Sequence, residues 1–487
     1  MMLLPVAMLL WLQASGEESL EWALRTFARV YAAVERNAAT PADPQQAIYG
    51  GAIPGMLRTL DPHSVFFDPE QFEQLRKMQE SVSRGFGSIV NVLPGRVIVL
   101  EATPGSPSAR AGLAPGDEIV AINGIPLNRL DTPQLIQLLT ETRQRPANID
   151  VRRPGSARTL QIVLTPEDML TPSVERAFFL RPGVGYVRVT SFDAQTGAEV
   201  KKAIEKLGGA SLSGLVLDLR KNPGGMLAAA LEVASLFLDP GKTIVSIRGR
   251  AVQSSRETVP EDAKPYSFPL AVIVDGQTAS AAEIVAGSLQ DHDRAVIVGQ
   301  PTFGKGLVNS VYPLSEGTGL ALTTAFYYTP SGRSIQRPLE SGQLSRAIPA
   351  VSQGSPGEYR TDAGRPVSGG GGIQPDIVVR EKAPTRLQVF LESSGAFVRF
   401  AAVYLQKHPR PGENFEVTPE VMEEFRSYLV DNNILPGVWE WSEIRAWMMS
   451  RIKTEIFNQA FGVEKGDQVE AQNDVAIQTA LKALRAP

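Results

Sequence analysis

At 487 residues and 43% hydrophobic content, the chain is long enough for several domains, each with its own core. A net charge of −4 and a pI of about 5.7 leave no global basic footprint for nucleic acid. Cysteine is absent, which excludes disulfides, thiolate metal sites and cysteine nucleophiles. The histidines, His63, His292 and His408, are scattered and read as surface or turn residues. This argues against a metal site or a Ser–His–Asp triad, although His292 follows Ser280 closely.

Met1 to Gln13 is apolar and ends in Ala14-Ser15-Gly16, small residues of the kind that precede a signal cleavage site, although no Lys or Arg comes before the run. It is too short to span a bilayer comfortably. Residues 1–16 are therefore read as a signal peptide or N-terminal apolar segment, and an exported protein, periplasmic or associated with the cell envelope, is expected. From Glu17 to Asn37, the i, i+3/i+4 spacing of Leu20, Leu24, Phe27, Val30, Tyr31 and Val34 predicts a helix. Gln45 to Leu60 predicts a second. Residues 17–80 form a helical N-terminal region whose Asp61-Pro62-His63-Ser64 turn carries no evident chemistry.

From Ser83 to Leu164 three stretches stand out: Gly85-Phe86-Gly87, Gly105-Ser106-Pro107-Ser108-Ala109-Arg110-Ala111-Gly112-Leu113, and Pro115-Gly116-Asp117-Glu118-Ile119-Val120-Ala121-Ile122-Asn123-Gly124. Thr132-Pro133 reads as a cap followed by proline at the first helical position, opening a helix through Leu135, Ile136, Leu138 and Leu139. Together these resemble a PDZ domain, placed at 83–166. The resemblance implies that a peptide tail adds as an edge strand beside that helix, with Gly85, Phe86 and Gly87 holding its carboxylate. Phe86 taken alone reads equally as a core residue.

Between 167 and 380 strands and helices alternate. Gly183 to Phe192, Ser213 to Arg220, Thr243 to Ile247, Ala271 to Val274, Ala295 to Val298 and Ala321 to Tyr328 predict strands. Thr196 to Leu207, Met226 to Leu238 and Ala281 to Leu289 predict helices, and the alternation predicts an α/β core. Ser280 falls where a strand turns into a helix, beside free backbone N–H groups. A serine there is most often a helix cap, and Lys305, between Gly304 and Gly306, would alone read as a solvated loop residue. A third stretch, Leu217-Asp218-Leu219-Arg220-Lys221-Asn222-Pro223-Gly224-Gly225, runs from a strand into glycines that can present N–H groups to an anion.

These three stretches, in this order and spacing, resemble the carboxyl-terminal processing proteases, or tail-specific proteases. The resemblance covers about Leu60 to about Val379, and Gly369 to Asp376 matches the family's closing segment. It implies a crotonase-like protease core. By the motif match it implies Ser280 as nucleophile, Lys305 as general base, and an oxyanion hole from the N–H groups of Ala281 and of Gly224 or Gly225. A lysine acts as a base only when neutral, and burial lowers its pKa; Phe303, Leu307 and Val308 suit such a pocket. Where the family places a base-orienting glutamine this chain has Asn309, one methylene shorter.

Gly299 to Gly306 nearly spells a phosphate-cradling P-loop. Position 306 is Gly instead of Ser or Thr, and Leu307 to Leu314 reads as a strand, so no helix N-terminus would face a phosphate. Leu339 to Glu358 is polar and rich in Pro, Gly and Ser, the pattern of a mobile loop. Residues 385–487 predict a helical C-terminal region, with Leu387, Phe390, Leu391, Phe397, Phe400 and Tyr404 as one stripe and Trp439, Trp441 and Trp447 as local core.

The expectation is a multidomain α/β serine endopeptidase that needs no cofactor or metal and acts on protein substrates with free C-terminal tails, not on nucleic acid. The helical terminal regions offer a route to homo-oligomers. The alternative is a catalytically silent PDZ-type adaptor on a protease-like core, motivated by Asn309.

Overall fold

The computed structural model describes the chain except residues 1–3, 81, 157, 340–343, 345–358, 381, 435–436 and 485–487. Most of the polar Leu339 to Glu358 stretch therefore lies outside the described residues. The chain falls into two compact units. One gathers Met1–Phe72, Asn309–Thr323 and Leu339–Ala347; the other gathers Glu73–Val308, Thr324–Pro338 and Ile348–Pro487.

In the first unit the N-terminal apolar run and the following amphipathic segment form one helix, Leu4–Asn37. Its stripe does not face a core: Leu20, Leu24, Phe27, Val30 and Val34 are exposed. The second helix opens with a π-helical stretch, Gln45–Ala52, and continues as Ile53–Leu60. Tyr49 stacks on Phe66 at 5.5 Å, and the strand Val65–Phe67 pairs antiparallel with Gly319 to Ala321. The Asp61 turn is buried and closed on itself, since Asp61 Oδ1 accepts from the amides of His63 and Ser64.

The second unit is built on a six-stranded sheet, in the order Val174–Arg181, Val184–Val189, Gly214–Asp218, Leu270–Val274, Ala295–Gly299, Ile377–Val378. The first pair is antiparallel and the rest are parallel. Gly214–Asp218 and Leu270–Val274 are buried at every position, as parallel strands covered on both faces must be. Leu215, Leu217, Val272, Val274 and Ile297 face helices Thr196–Lys206, Leu227–Ser235 and Ala281–Asp291. Val216, Ala271, Ile273 and Val298 face the last helix of the chain, Val475–Ala483, through Ala476, Ile477, Ala480 and Leu481. The C-terminal region is thus in part a layer of the α/β core, not only a separate packing module. Arg176 pairs with Asp467 and Arg220 with Asp474 across this join.

A second sheet of this unit runs Ser88–Leu93, Arg96–Ala102, Glu118–Ile122, Ala147–Arg152, Thr159–Leu164, all antiparallel. Ser88–Leu93 is an edge strand. The helix Thr132–Thr142 is capped by Asp131, which exchanges hydrogen bonds with Gln134. The expected cap, Thr132, is instead the first helical residue, because the longer-reaching Asp131 carboxylate is the group that meets the free amide.

The C-terminal helices enclose their own core, including Phe397, Phe400, Phe425, Met448 and Ile456. The expected single stripe is broken where Arg386–Ser393 ends and Ala396–Lys407 begins, so helical phase is lost and Phe390 is half exposed. Trp441 and Trp447 pack on this core, but Trp439 is 81% exposed in the first turn of the six-residue helix Val438–Glu443.

Candidate active site

The strand Leu270–Val274 ends at Asp275, whose carboxylate accepts from the amides of Gln277, Thr278 and Lys221. Thr278 Oγ1 donates to the Leu219 carbonyl, and the Ala279 amide donates to the Asn222 carbonyl at 2.9 Å. These bonds stitch the loop before Ser280 to the Leu217–Gly225 stretch.

Ser280 has φ 55° and ψ −117°, outside the regions open to an L-residue without strain. It does not act as a side-chain cap of Ala281–Asp291. The Glu283 amide bonds the Ser280 backbone carbonyl instead, at 2.9 Å. The serine stands, partly exposed, at a sharp strand-to-helix turn, its backbone carbonyl taking the Glu283 amide.

Lys305 lies two residues before the strand Leu307–Pro313 and is partly buried. Leu307 is buried beside it, whereas Phe303 is 47% exposed and does not enclose it. The residue that joins Ser280 and Lys305 is Glu283, to which the sequence pattern assigns no role beyond its place in the helix Ala281 to Leu289. Its side chain is fully buried. Glu283 Oε2 accepts from the Ser280 amide at 2.8 Å and the Lys305 amide at 2.9 Å. Oε1 accepts from the Gly304 amide at 2.8 Å and from Thr302 Oγ1. Burial pushes this carboxyl up, and the hydrogen bonds from Thr302, Lys305, Gly304 and Ser280 pull against it. Four donors on two oxygens match an ionised carboxylate, which is acceptor-only. A glutamate on the first turn of a buried, otherwise small or apolar helix was the available sequence signal, since lone buried acids are rare.

Gly224 and Gly225 have φ of 94° and 146°. The Gly224 amide already donates to Asn222 Oδ1 at 2.8 Å, so of the two alternatives for an oxyanion donor it is the one already engaged. Among the described residues no hydrogen bond is recorded from the Gly225 or Ala281 amide. Gly224 packs directly on the serine: a Cβ there would lie 2.8 Å from Ser280 Cβ and from the Ala281 nitrogen, and 2.7 Å from the Ala279 oxygen. Gly224→Ala is therefore expected to crowd and strain the Ser280 turn. Any turnover that depends on Ser280 should fall by about 10²-fold; near-normal turnover of this variant would show that the close approach is not needed.

Asn309 lies in the first unit. Its Nδ2 donates to the His63 carbonyl at 3.0 Å and to Thr323 Oγ1 at 3.3 Å, while its Oδ1 is buried without a hydrogen-bond donor among the described residues. His292 is not a surface residue. Its side chain is 8% exposed, with Nδ1 on Asp362 and Nε2 on the Thr243 carbonyl. It caps the far end of the helix that Ser280 opens, 11 residues or roughly 16 Å away, too far to activate the serine. After the near-P-loop the chain continues as strand Leu307–Pro313.

Just before the edge strand Ser88–Leu93, the carbonyls of Phe86 and Gly87 are tied back: Ser108 N–H donates to Phe86 O, while Thr103 N–H and Ser106 Oγ donate to Gly87 O. A Cβ on Gly87 would lie 2.3 Å from Ser106 Cβ, so only glycine allows this approach. Gly85, Phe86, Gly87, Ile89, Leu139 and Arg143 line a cavity of about 700 Å³. Phe86 serves both readings, since it also packs on the core of this sheet.

A model of peptidase family S41 matches residues 183–341, and a PDZ domain model matches residues 98–153. The carboxy-terminal-processing protease of Bartonella bacilliformis is 35% identical over 330 residues, which cover 66% of this chain and 74% of that protein. The chain belongs to the carboxyl-terminal-processing proteases of peptidase family S41. This peptidase is also 35% identical over 292 residues to the carboxyl-terminal-processing protease of Synechocystis, covering 59% of this chain and 68% of the relative. With the chloroplastic carboxyl-terminal-processing peptidase 2 of Arabidopsis thaliana it shares 35% identity over 300 residues, 59% of this chain and 58% of that one. It is a serine-type C-terminal-processing peptidase that carries a PDZ domain, and its substrates are proteins.

Proposed function

We propose that this peptidase cleaves protein substrates near their C-terminus by acyl transfer, with Ser280 as nucleophile and Lys305 as general base. The observation that carries this is the Glu283 carboxylate, which binds the amides of both residues at a serine held off helical geometry. The neutral Lys305 amine takes the hydroxyl proton as Ser280 Oγ bonds to the scissile carbonyl carbon. The oxyanion forms against the Ala281 and Gly225 amides, Gly224 being the close-packed residue that leaves room for it. The C–N bond then breaks, the leaving amine takes the proton from Lys305, and water repeats the steps to release the acid. Asn309 stands in the sequence where the family places its base-orienting glutamine. No cofactor enters the chemistry.

A fluorophosphonate probe should label Ser280 in the wild-type protein and fail to label Lys305→Ala. A wild-type protein that binds peptide tails but takes no label would favour the adaptor reading.

The PDZ domain supplies the tail. An extended peptide fits beside the edge strand Ser88–Leu93, with its carboxylate at the Phe86 and Gly87 amides, whose carbonyls are already engaged on the other side. A peptide with an apolar last residue should bind with a free acid and lose at least about tenfold in affinity when amidated, since a charge-assisted bond is worth roughly 1.5–3 kcal/mol. Equal calorimetric affinity for acid and amide would remove this role.

Export is proposed on the apolar segment 1–16; residues 1–3 lie outside the described residues, and no helix among those described is long and apolar enough to cross a membrane. The exposed Leu20 to Val34 stripe supports self-association through the N-terminal region.

A further inference from the structure

Glu283 accepts the N–H groups of Ser280 and Lys305, but each of these residues also carries a backbone carbonyl. The carbonyls of the same two residues meet one side chain. Tyr327 lies near the end of strand Gly319–Tyr328, where Ile247 pairs with it, and it is 2% exposed. Its amide donates to the Gly306 carbonyl at 3.0 Å, which fixes its backbone one residue from the base. Its hydroxyl lies 3.1 Å from the Ser280 carbonyl oxygen and in close contact with the Lys305 carbonyl oxygen.

We propose that Tyr327 is a positioning residue of the catalytic pair: its hydroxyl holds the carbonyls of Ser280 and Lys305 while Glu283 holds their amides. The assignment rests on the Ser280–Lys305 reading above and extends it to a residue far along the chain.

A strained φ/ψ such as that of Ser280 persists only where the surroundings over-determine it, and two buried side chains acting on opposite polar groups do so. The Ser280 carbonyl already accepts from the Glu283 and Ile284 amides, so satisfying that oxygen does not require the tyrosine; what the tyrosine adds is a link to Lys305. Burial, and next the charge of Glu283, raise the phenol well above its ordinary pKa, so the hydroxyl remains a donor throughout any working pH.

Tyr327→Phe keeps the ring and its packing and removes the hydroxyl with its contacts to Ser280 and Lys305. It should lower kcat by on the order of 10- to 10²-fold, the range expected for small misplacement of reacting groups, with KM unchanged and the alkaline shift in the pH dependence of kcat/KM that a displaced base produces. Introducing 4-aminophenylalanine at position 327 restores a donor at the ring terminus and should recover most of kcat. Because Glu283→Gln disturbs the same two residues, the double variant should lose less than the product of the single losses. Ser280→Ala and Lys305→Ala run in parallel separate two failures. If they retain activity, the dyad reading falls. If they are inactive while folded Tyr327→Phe keeps wild-type kcat and pH profile, the dyad stands and the positioning role of Tyr327 is overturned. Should Tyr327→Phe fail to fold, a folded 4-aminophenylalanine variant without recovered kcat overturns it equally.

Discussion

Ser280→Ala and Lys305→Ala should each yield a folded protein that no longer cleaves an unfolded polypeptide. Removing a nucleophile or its base from a serine-type site costs on the order of 10⁴–10⁶ in kcat, and removing both costs little more than removing one. The serine variant also separates the two roles a serine can take at a helix start. As a side-chain cap, its replacement by alanine would cost about 1 kcal/mol of stability, seen as a lower Tm with activity largely kept. Ser280 does not cap the helix through its side chain, and alanine carries the same Cβ through the same strained φ/ψ. The expected result is therefore the reverse: a Tm within about 1–2 °C of wild type and no turnover, measured by calorimetry and by cleavage of a reporter with a free tail. Retained cleavage with a lowered Tm would return Ser280 to the role of a cap and remove the proposed mechanism.

The second large effect is expected at Glu283. Gln is nearly isosteric, but one of its two terminal atoms is an NH₂ donor. Whichever way the amide is turned, that donor faces either the Ser280 and Lys305 amides or the Gly304 amide and the Thr302 hydroxyl. Each buried donor left without an acceptor costs about 1–3 kcal/mol, so the fold should be visibly less stable, by several degrees or more in Tm. The two backbone segments that Glu283 joins, the helix start at Ser280 and the loop at Lys305, are no longer held by one anion, and displacement of either by about 1 Å lowers the rate by about 10²-fold. Glu283→Gln should therefore lose both stability and kcat, measured well below its Tm, with PDZ binding of a peptide tail unchanged. Full kcat in a destabilised variant would confine Glu283 to a structural role.

Much of this protein was legible from one dimension because its strongest signals are local. Ala271 to Val274 reads as a strand because its apolar run ends at Asp275-Gly276, and Ser280 reads as a helix start because the apolar spacing changes there. The Gly-Gly pair after Asn222 announces backbone that other residues avoid, and both glycines have positive φ. Local patterns failed where a competing neighbour won. Asp131 displaced Thr132 as the cap, the break at Ser394-Gly395 ended the aromatic stripe, and His292 turned out to be a largely buried clamp on Asp362 and Thr243, not a surface residue.

The sequence by itself determined which segments would be strands and helices and which serine, lysine and glycines were worth placing together, since hydrophobic period and backbone freedom are properties of short windows. Only the tertiary structure decided how those residues are held. That Glu283 also binds the Lys305 amide 22 positions away, that Tyr327 reaches the carbonyls of Ser280 and Lys305, and that Val475–Ala483 covers the second face of the sheet all follow from long-range packing. A buried polar group takes whichever partner the fold brings within about 3 Å, and no short window of sequence contains that partner.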